Sequence, residues 1–449
     1  MPASPSQLGA LRDEWRSRGV HSVLAQFTDI HGVAKGKLVP LEHLQSLVDV
    51  GAGFSGPSIW GTGLPRHGAR SEYCGRVIPE SGRLLPWMSG IVHMVCDGYA
   101  GGEPLASCSR QTLKRVLRAL EARGWTLHVG IEPEFFLLKR DAQGRYTIAD
   151  ADDTLHKPSY DLKAIGRNLG FIDELRRTLE ALGFELTQID HEDANGQYEL
   201  NYRYGAALEA ADRYMLFKMA AHAVAERHGL IFSCMPKPFA NAPGSGLHFH
   251  LSITDAQGKA VFADAADAMG LSREGYRFIA GLLHHADALA ALCAPTVNSY
   301  KRLAAGESLS GTTWAPVWKS YGANNRTTLV RTVDGRLEWR LPDPACNVYA
   351  AIAAVCAAGM AGIGGAYEAP VPCNVDLYEL DDATRQSLGA QRLPSNLGEA
   401  LAALRGDEPL RAAVGHDFCD EFLRVKTLEW NAFQHQVSDW ELRRYADYF

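Results

Sequence analysis

Four short stretches of this chain alternate large apolar residues with charged, imidazole or amide side chains. They read Ile131-Glu132-Pro133-Glu134-Phe135, Gln197-Tyr198-Glu199-Leu200, Leu247-His248-Phe249-His250-Leu251-Ser252 and Arg336-Leu337-Glu338-Trp339-Arg340-Leu341. A period of two belongs to the β-strand, whose successive side chains leave opposite faces. Each stretch therefore predicts a strand with one buried apolar face and one polar face. Any one of them could be an ordinary solvent-facing strand. Together with Glu192 they bring five glutamates and two histidines, and carboxylates side by side repel unless a cation lies between them. The set points to a metal-and-phosphate site.

The rest of the pattern places these strands in an α+β fold. A helix is predicted over Leu8–Arg18, then a hairpin of Val20–Thr28 and Ala34–Pro40 turning at Asp29-Ile30-His31-Gly32. The Gly-, Pro- and Ser-rich run Gly51–Arg70 reads as a loop, and a loop of that length is more often functional than idle. A domain boundary is expected within Asp97–Leu105. A helix capped by Ser107 or Ser109 should run to about Arg123 and stop at Gly124. Further helices are predicted at Ile172–Leu182, Ala211–His228 and Ser272–Cys293. Strands are predicted at Leu127–Lys139, Glu185–Ile189, Ile231–Met235 and Thr328–Thr332, and residues from Ala345 onward read as mostly helical. Strict β-α-β alternation is missing, which favours α+β.

Composition removes several classes of function. The formal net charge of −7 argues against a nucleic-acid surface as the main role. No apolar run is expected to approach the roughly 18 residues of a membrane span, and Met1-Pro2-Ala3-Ser4-Pro5 does not resemble a secretion signal. The nine cysteines are scattered without a C-x-x-C pair, as reduced thiols of a cytoplasmic protein would be. Gly32-Val33-Ala34-Lys35-Gly36-Lys37 fails as a phosphate loop: its spacing is short and no Ser or Thr follows the lysine.

Glutamate-dominated ligands with little histidine and no placed cysteine favour Mg²⁺ or Mn²⁺ over Zn²⁺. Arg302, Arg326, Arg331, Arg336 and Arg340 add the donors that grip carboxylates and phosphates. Metals and arginines around a phosphoryl group describe phosphoryl transfer.

Eight blocks, in order, resemble glutamine synthetases over nearly the whole chain. They are FTDIHG, GIEPEFFLL, HEDANGQYE, KPFANAPGSGLHFHLS, PTVNSYKRL, NNRTTLVR, GRLEWRLPDPACN and the tail EW…VSDWE. Within the family the sequence looks closest to bacterial γ-glutamyl-amide ligases, glutamate–methylamine ligases in particular. The resemblance implies a small N-terminal β-grasp-like domain over 1–102 and a larger catalytic domain over 103–449, with a curved antiparallel sheet and surrounding helices. It also implies a homo-oligomer, a dodecamer of two rings with active sites shared between neighbouring subunits. ATP would phosphorylate the glutamate γ-carboxylate and an amine would displace the phosphate, with two or three Mg²⁺ or Mn²⁺ ions per site. Carried over residue by residue, Glu134, Glu192 and Glu199 would hold one metal, and Glu132, His248 and Glu338 another. His250, Ser252, Tyr204 and Arg336 would face the nucleotide. Arg302, Arg340, Asn241 and Gly246 would bind glutamate, and Arg326 and Arg331 the transferred phosphoryl. Tyr160 and Glu192 would lie at the amine. Asp29 and His31 would shape the hairpin, and Tyr378 would lie near a tyrosine that some bacterial members adenylylate, although a structural role fits it better.

Two departures from the family fall at the amine. Ammonia-using members carry an aspartate in the loop that here reads Phe54-Ser55-Gly56-Pro57-Ser58, and Ser55 stands in its place. They also carry a flap glutamate before Ala315-Pro316, where Thr313-Trp314 follows the insertion SLSGTT; Glu307 is the nearest substitute acid. Losing two carboxylates weakens the attraction for a small cation, and Trp60 or Trp314 would supply a wall suited to an alkylammonium. The expectation is a small primary amine, methylamine first. The alternatives are ammonia, a larger amine (ethylamine, isopropylamine, ethanolamine, a polyamine or aniline), or a non-catalytic member acting as a scaffold.

Overall fold

A computed structural model describes residues 5–68, 70–304 and 314–449, so the expectations for Glu307, Thr313 and the SLSGTT insertion lie outside the described residues. The chain is α+β and is built on two large sheets. In the seven-stranded sheet, Ser22–Thr28 pairs antiparallel with Ala34–Pro40 and parallel with Ile91–Ala100. Glu72–Val77 and Ala52–Ser55 extend it.

The hairpin turn joins this sheet to the rest. Asp29 Oδ1 accepts hydrogen bonds from the backbone N–H of His31 and of Val33, both at 3.0 Å. Gly32 has φ +79°, and a Cβ there would lie 2.8 Å from the Cys346 carbonyl oxygen, so the turn needs glycine for both reasons. Asn347 caps the helix Val348–Gly365 and donates from Nδ2 to the Asp29 carbonyl at 2.8 Å. Asp29 and His31 therefore shape the hairpin, as expected.

The ten-stranded sheet is organised on the long strand Thr126–Arg140. Leu247–Thr254 pairs with its first half on one edge, ending opposite Pro133. Pro133 has no N–H to donate, and just past it the partner on that edge becomes Ile231–Ser233. On the other edge, Gln197–Tyr202 pairs beside Glu134. Arg336–Trp339 continues from Leu247–Thr254, and it meets Val330–Val333 through Asp334-Gly335. Both turn residues have positive φ, 46° and 72°, as a two-residue type I′ hairpin requires.

Several expectations are corrected. The run Gly51–Arg70 contains the strand Ala52–Ser55, because Phe54 packs on Phe27 and Tyr73 and the backbone finds a partner in Glu72–Val77. The strands Glu72–Val77 and Ile91–Ala100 were not foreseen. Neither Ser107 nor Ser109 caps the helix Ser109–Glu121: Cys108 stands at its start without a side-chain bond, and Ser107 Oγ donates to the Thr62 carbonyl. The helix predicted over Ser272–Cys293 is two, Arg273–His284 and Ala286–Cys293, broken where His285 Nδ1 donates to Asp407 Oδ2 at 2.6 Å. An apolar run of span length does exist. Val348–Gly365 carries no charge over 18 residues at a mean hydropathy of 1.8. It is the central core helix, packed against Ser109–Glu121 and Arg273–His284.

Candidate active site

Strand register decides which polar side chains meet. Asp190 lies opposite Glu199, and Glu199 opposite Glu134, so three carboxylates form one row across three strands. His248 lies opposite Glu132, and Glu338 is flanked by His250 and Arg331. Directly opposed side chains share a face, and like charges there are destabilising on their own.

The result is a cavity of about 620 Å³. Its lining includes Glu132, Glu134, Glu192, Glu199, His248 and Glu338, with Tyr160, Asn241, Gly246 and Trp314 and the arginines 302, 326, 331 and 340. Glu134, Glu192 and Glu199 bring ligand atoms within 4.8 Å of one another, and so do Glu132, His250 and Glu338. His248 also competes for the second set: its Nδ1 is 3.6 Å from Glu132 and 3.6 Å from Glu338. The geometry thus offers both histidines where the resemblance assigned only His248.

Each glutamate of the first set has one oxygen tethered by a protein donor. Glu134 Oε2 accepts from the Gly246 N–H at 2.8 Å and from Gln197 Nε2 at 3.0 Å. Glu192 Oε2 accepts from the Asp193 N–H at 3.0 Å, and Glu199 Oε1 from Asn201 Nδ2 at 2.6 Å. Tethers of this kind orient metal ligands. Burial and the neighbouring carboxylates push Glu192 and Glu199 well above the usual range, and Asp190 up to about 6. Three oxygen donors with that much uncompensated repulsion suit a hard divalent cation. The other set is balanced by protein. Burial would raise Glu132 and Glu338, but His248 and His250 outweigh it at Glu132, and Arg340 with both histidines holds Glu338 at about 2.

The arginines divide in two. Arg331 donates to Glu338 Oε2 at 2.6 Å and is steadied by Asn324; Arg340 donates to the other oxygen of Glu338. Arg302 is buried and, among the described residues, donates to the carbonyls of Leu341 at 2.9 Å and of Arg340 at 3.1 Å. Burial lowers its pKa, while Asp343 and Glu134 support its charge. A buried guanidinium that opens on a cavity has the charge and the planar donors that suit a carboxylate. Gly246 makes room for this. A Cβ there would lie 2.7 Å from His248 Nε2, 2.9 Å from Arg302 Nη2 and 3.1 Å from Glu134 Oε1.

Four predicted nucleotide residues lie beside this cavity instead of lining it. His250 Nε2 is 2.8 Å from Glu132, and its Nδ1 accepts from Arg336 Nε at 3.2 Å. Ser252 lies two residues further along the same face, opposite His128, and the Tyr204 ring is edge-on to His128 at 5.9 Å. Ser55 and Trp60 are not at the cavity of their own chain. Ser55 lines a separate groove with Lys37, Phe54, Arg66 and Glu72, and the exposed Trp60 has its ring 6.2 Å from that of His31. Tyr378 donates to the Ala315 carbonyl and packs on Trp318 at 4.8 Å, a structural role.

Asp190, Lys157, Lys237 and Lys301 also line the cavity and were missed. Asp190 stands two residues before Glu192, but its place in the row follows only from the register with Glu199.

Comparison with known proteins agrees with this geometry. The glutamine synthetase catalytic domain matches residues 106–445. A glutamate–methylamine ligase of Methyloversatilis universalis is 48% identical over 96% of this chain and 97% of its own length. A glutamine synthetase of Rhizobium leguminosarum bv. phaseoli is 38% identical over 95% and 96%. Among solved structures, a GmaS/ADP complex superposes with a TM-score of 0.91 at 40% identity, covering 97% of this chain and 99% of that one. An apo GmaS gives 0.89 at 38% identity, with the same coverage. With its catalytic-domain match over residues 106–445 and relatives of 38–48% identity over nearly its whole length, the chain belongs to the glutamine synthetase family.

Proposed function

We propose that this chain is an ATP-dependent carbon–nitrogen ligase that joins the γ-carboxylate of glutamate to a small primary amine, methylamine first, through γ-glutamyl phosphate. The observation that carries the reading is the buried Arg302, opening on the same cavity as two carboxylate sets that suit divalent cations. Activation is needed because a carboxylate oxygen is a poor leaving group.

Arg302 and Arg340 hold the carboxylates of glutamate, with Asn241 and the Gly246 backbone beside them. Glu134, Glu192 and Glu199 would hold one Mg²⁺ or Mn²⁺; Glu132, Glu338 and His248 would hold another, with His250 beside it. When bound, the ions neutralise phosphate and carboxylate charge. Arg326 and Arg331 face the transferred phosphoryl group, and His250, Ser252, Tyr204 and Arg336 form the strip along which the nucleotide lies. Glu192 and Tyr160 receive the amine and its proton. Trp314, exposed at the cavity, supplies an apolar wall to a methyl group.

Ser55 and Trp60 complete the site only if a neighbouring chain delivers them, which fits a ring assembly, and we assign a dodecamer. The exposed apolar tail with Val437, Trp440, Leu442 and Phe449 supports association with further copies. The division at residues 102 and 103 is supported by the two separate sheets to within one short strand, Glu103–Pro104, which still pairs with Ile91–Ala100 of the first, and nine free thiols support a cytoplasmic setting.

The test is product analysis. Glutamate labelled with ¹⁸O in its γ-carboxylate, ATP and methylamine should yield γ-glutamylmethylamide by mass spectrometry, with label in the released phosphate. Product without label in phosphate would exclude the acyl-phosphate route.

A further inference from the structure

Beneath the turn that carries Glu192 lies a pair that the proposed chemistry does not use. The side chains of His191 and Asp153 have no exposed surface. His191 Nε2 lies 2.8 Å from Asp153 Oδ2, and its Nδ1 lies 2.8 Å from the Glu192 carbonyl oxygen. Asp153 also accepts from Asn195 Nδ2 at 2.9 Å and from the Gly196 N–H, so one carboxylate gathers the whole turn from His191 to Gly196. The main chain of His191 faces the other way, its carbonyl accepting from the Tyr160 N–H at 2.9 Å. Tyr160 has φ 65°, a left-handed conformation that is strained for a tyrosine and persists only when held. Its neighbours are held as well: Ser159 donates to Asp193, and Asp161 caps the helix Leu162–Arg167.

We propose that the buried Asp153–His191 pair is the positioning element that fixes Glu192 and Tyr160 relative to one another, and so sets how the alkylammonium is received. The inference rests on the reading that Glu192 and Tyr160 form the amine pocket. Neither member of the pair touches substrate. Both act through the turn, as outer partners of metal-site residues do.

The experiment uses the full-length enzyme with Asp153→Asn, and His191→Gln as a second variant in case the first does not fold. Methylamine, glutamate and ATP are each varied with the others saturating, and Mn²⁺ affinity is measured by electron paramagnetic resonance without substrates. The pair's role predicts a rise of roughly tenfold or more in KM for methylamine and weaker Mn²⁺ binding, with KM for glutamate and ATP little changed. A loss of kcat with every KM unchanged, or parental values throughout, would overturn it. Tyr160→Phe separates the two readings. If it raises KM for methylamine while neither pair variant does, the pocket stands and the positioning role falls. If it leaves that KM unchanged, the pocket reading falls and takes the inference with it.

Discussion

Replacing Glu199 by glutamine should make the metal-free protein more stable and the metal-loaded protein less so. Glu199 is 8% exposed and stands between Asp190 and Glu134 in the carboxylate row. Its ligand oxygen lies within 4.8 Å of those of Glu134 and Glu192. At an effective dielectric of about 20, two unit charges at that distance repel by roughly 3.5 kcal/mol. Proton uptake limits the penalty. Holding a glutamate protonated at pH 7 against an unfolded pKa of about 4.3 costs about 3.7 kcal/mol, the most that one such carboxylate can lose. The sign follows from the direction of the shift. The folded carboxyl is raised, so metal-free stability is greatest below the unfolded pKa and falls as pH rises through the folded value. Glu199→Gln removes that fall. At roughly 1 °C per kcal/mol for a cooperative unit of this size, the metal-free variant should melt up to about 4 °C higher near pH 7. Added Mn²⁺ should stabilise the parent by about 2.7 kcal/mol at a hundred times its Kd, and the variant much less. Scanning calorimetry with chelator and with Mn²⁺, at fixed protein concentration, reads both effects. A variant that melts lower in chelator, or gains as much from Mn²⁺ as the parent, would refute the reasoning.

Arg302→Lys keeps the charge but loses the fork, so KM for glutamate should rise by a factor of roughly 10 to 100 while KM for ATP stays near its parental value in steady-state assays. Gly246→Ala would push a methyl group onto His248, Arg302 and Glu134, and kcat should fall about a hundredfold while circular dichroism shows a folded protein. Asn347→Ala removes a helix cap and one of two donors to the Asp29 carbonyl, which keeps the Gly32 N–H, a loss of roughly 1–2 kcal/mol measurable by denaturant titration. Ser55→Asp should move the ratio of kcat/KM values toward ammonium over methylamine, and an unchanged ratio would remove this loop from amine selection.

The polar faces of the site were legible because a period of two is local: Glu132 and Glu134 share a face whatever their strand pairs with. Asp190 was not, because its role follows from lying opposite Glu199, and register is a tertiary fact. Ala52–Ser55 becomes a strand only because Glu72–Val77 lies beside it, so a Gly-rich stretch reads as loop until that partner is known. The apolar run Val348–Gly365 escaped notice through its many alanines and glycines, each only weakly apolar. The break falls at His285, whose side chain bonds to Asp407, more than a hundred residues away in the chain. The separation of Ser55 and Trp60 from the cavity of their own chain has no signal in either segment alone and is implied only by the family's shared active sites.

The central claim concerns the amine, and one comparison tests it most directly. With ATP and glutamate saturating, phosphate release is measured against ammonium, methylamine, ethylamine and putrescine to obtain kcat/KM for each. The account predicts the highest value for methylamine. A far higher value for ammonium would contradict it.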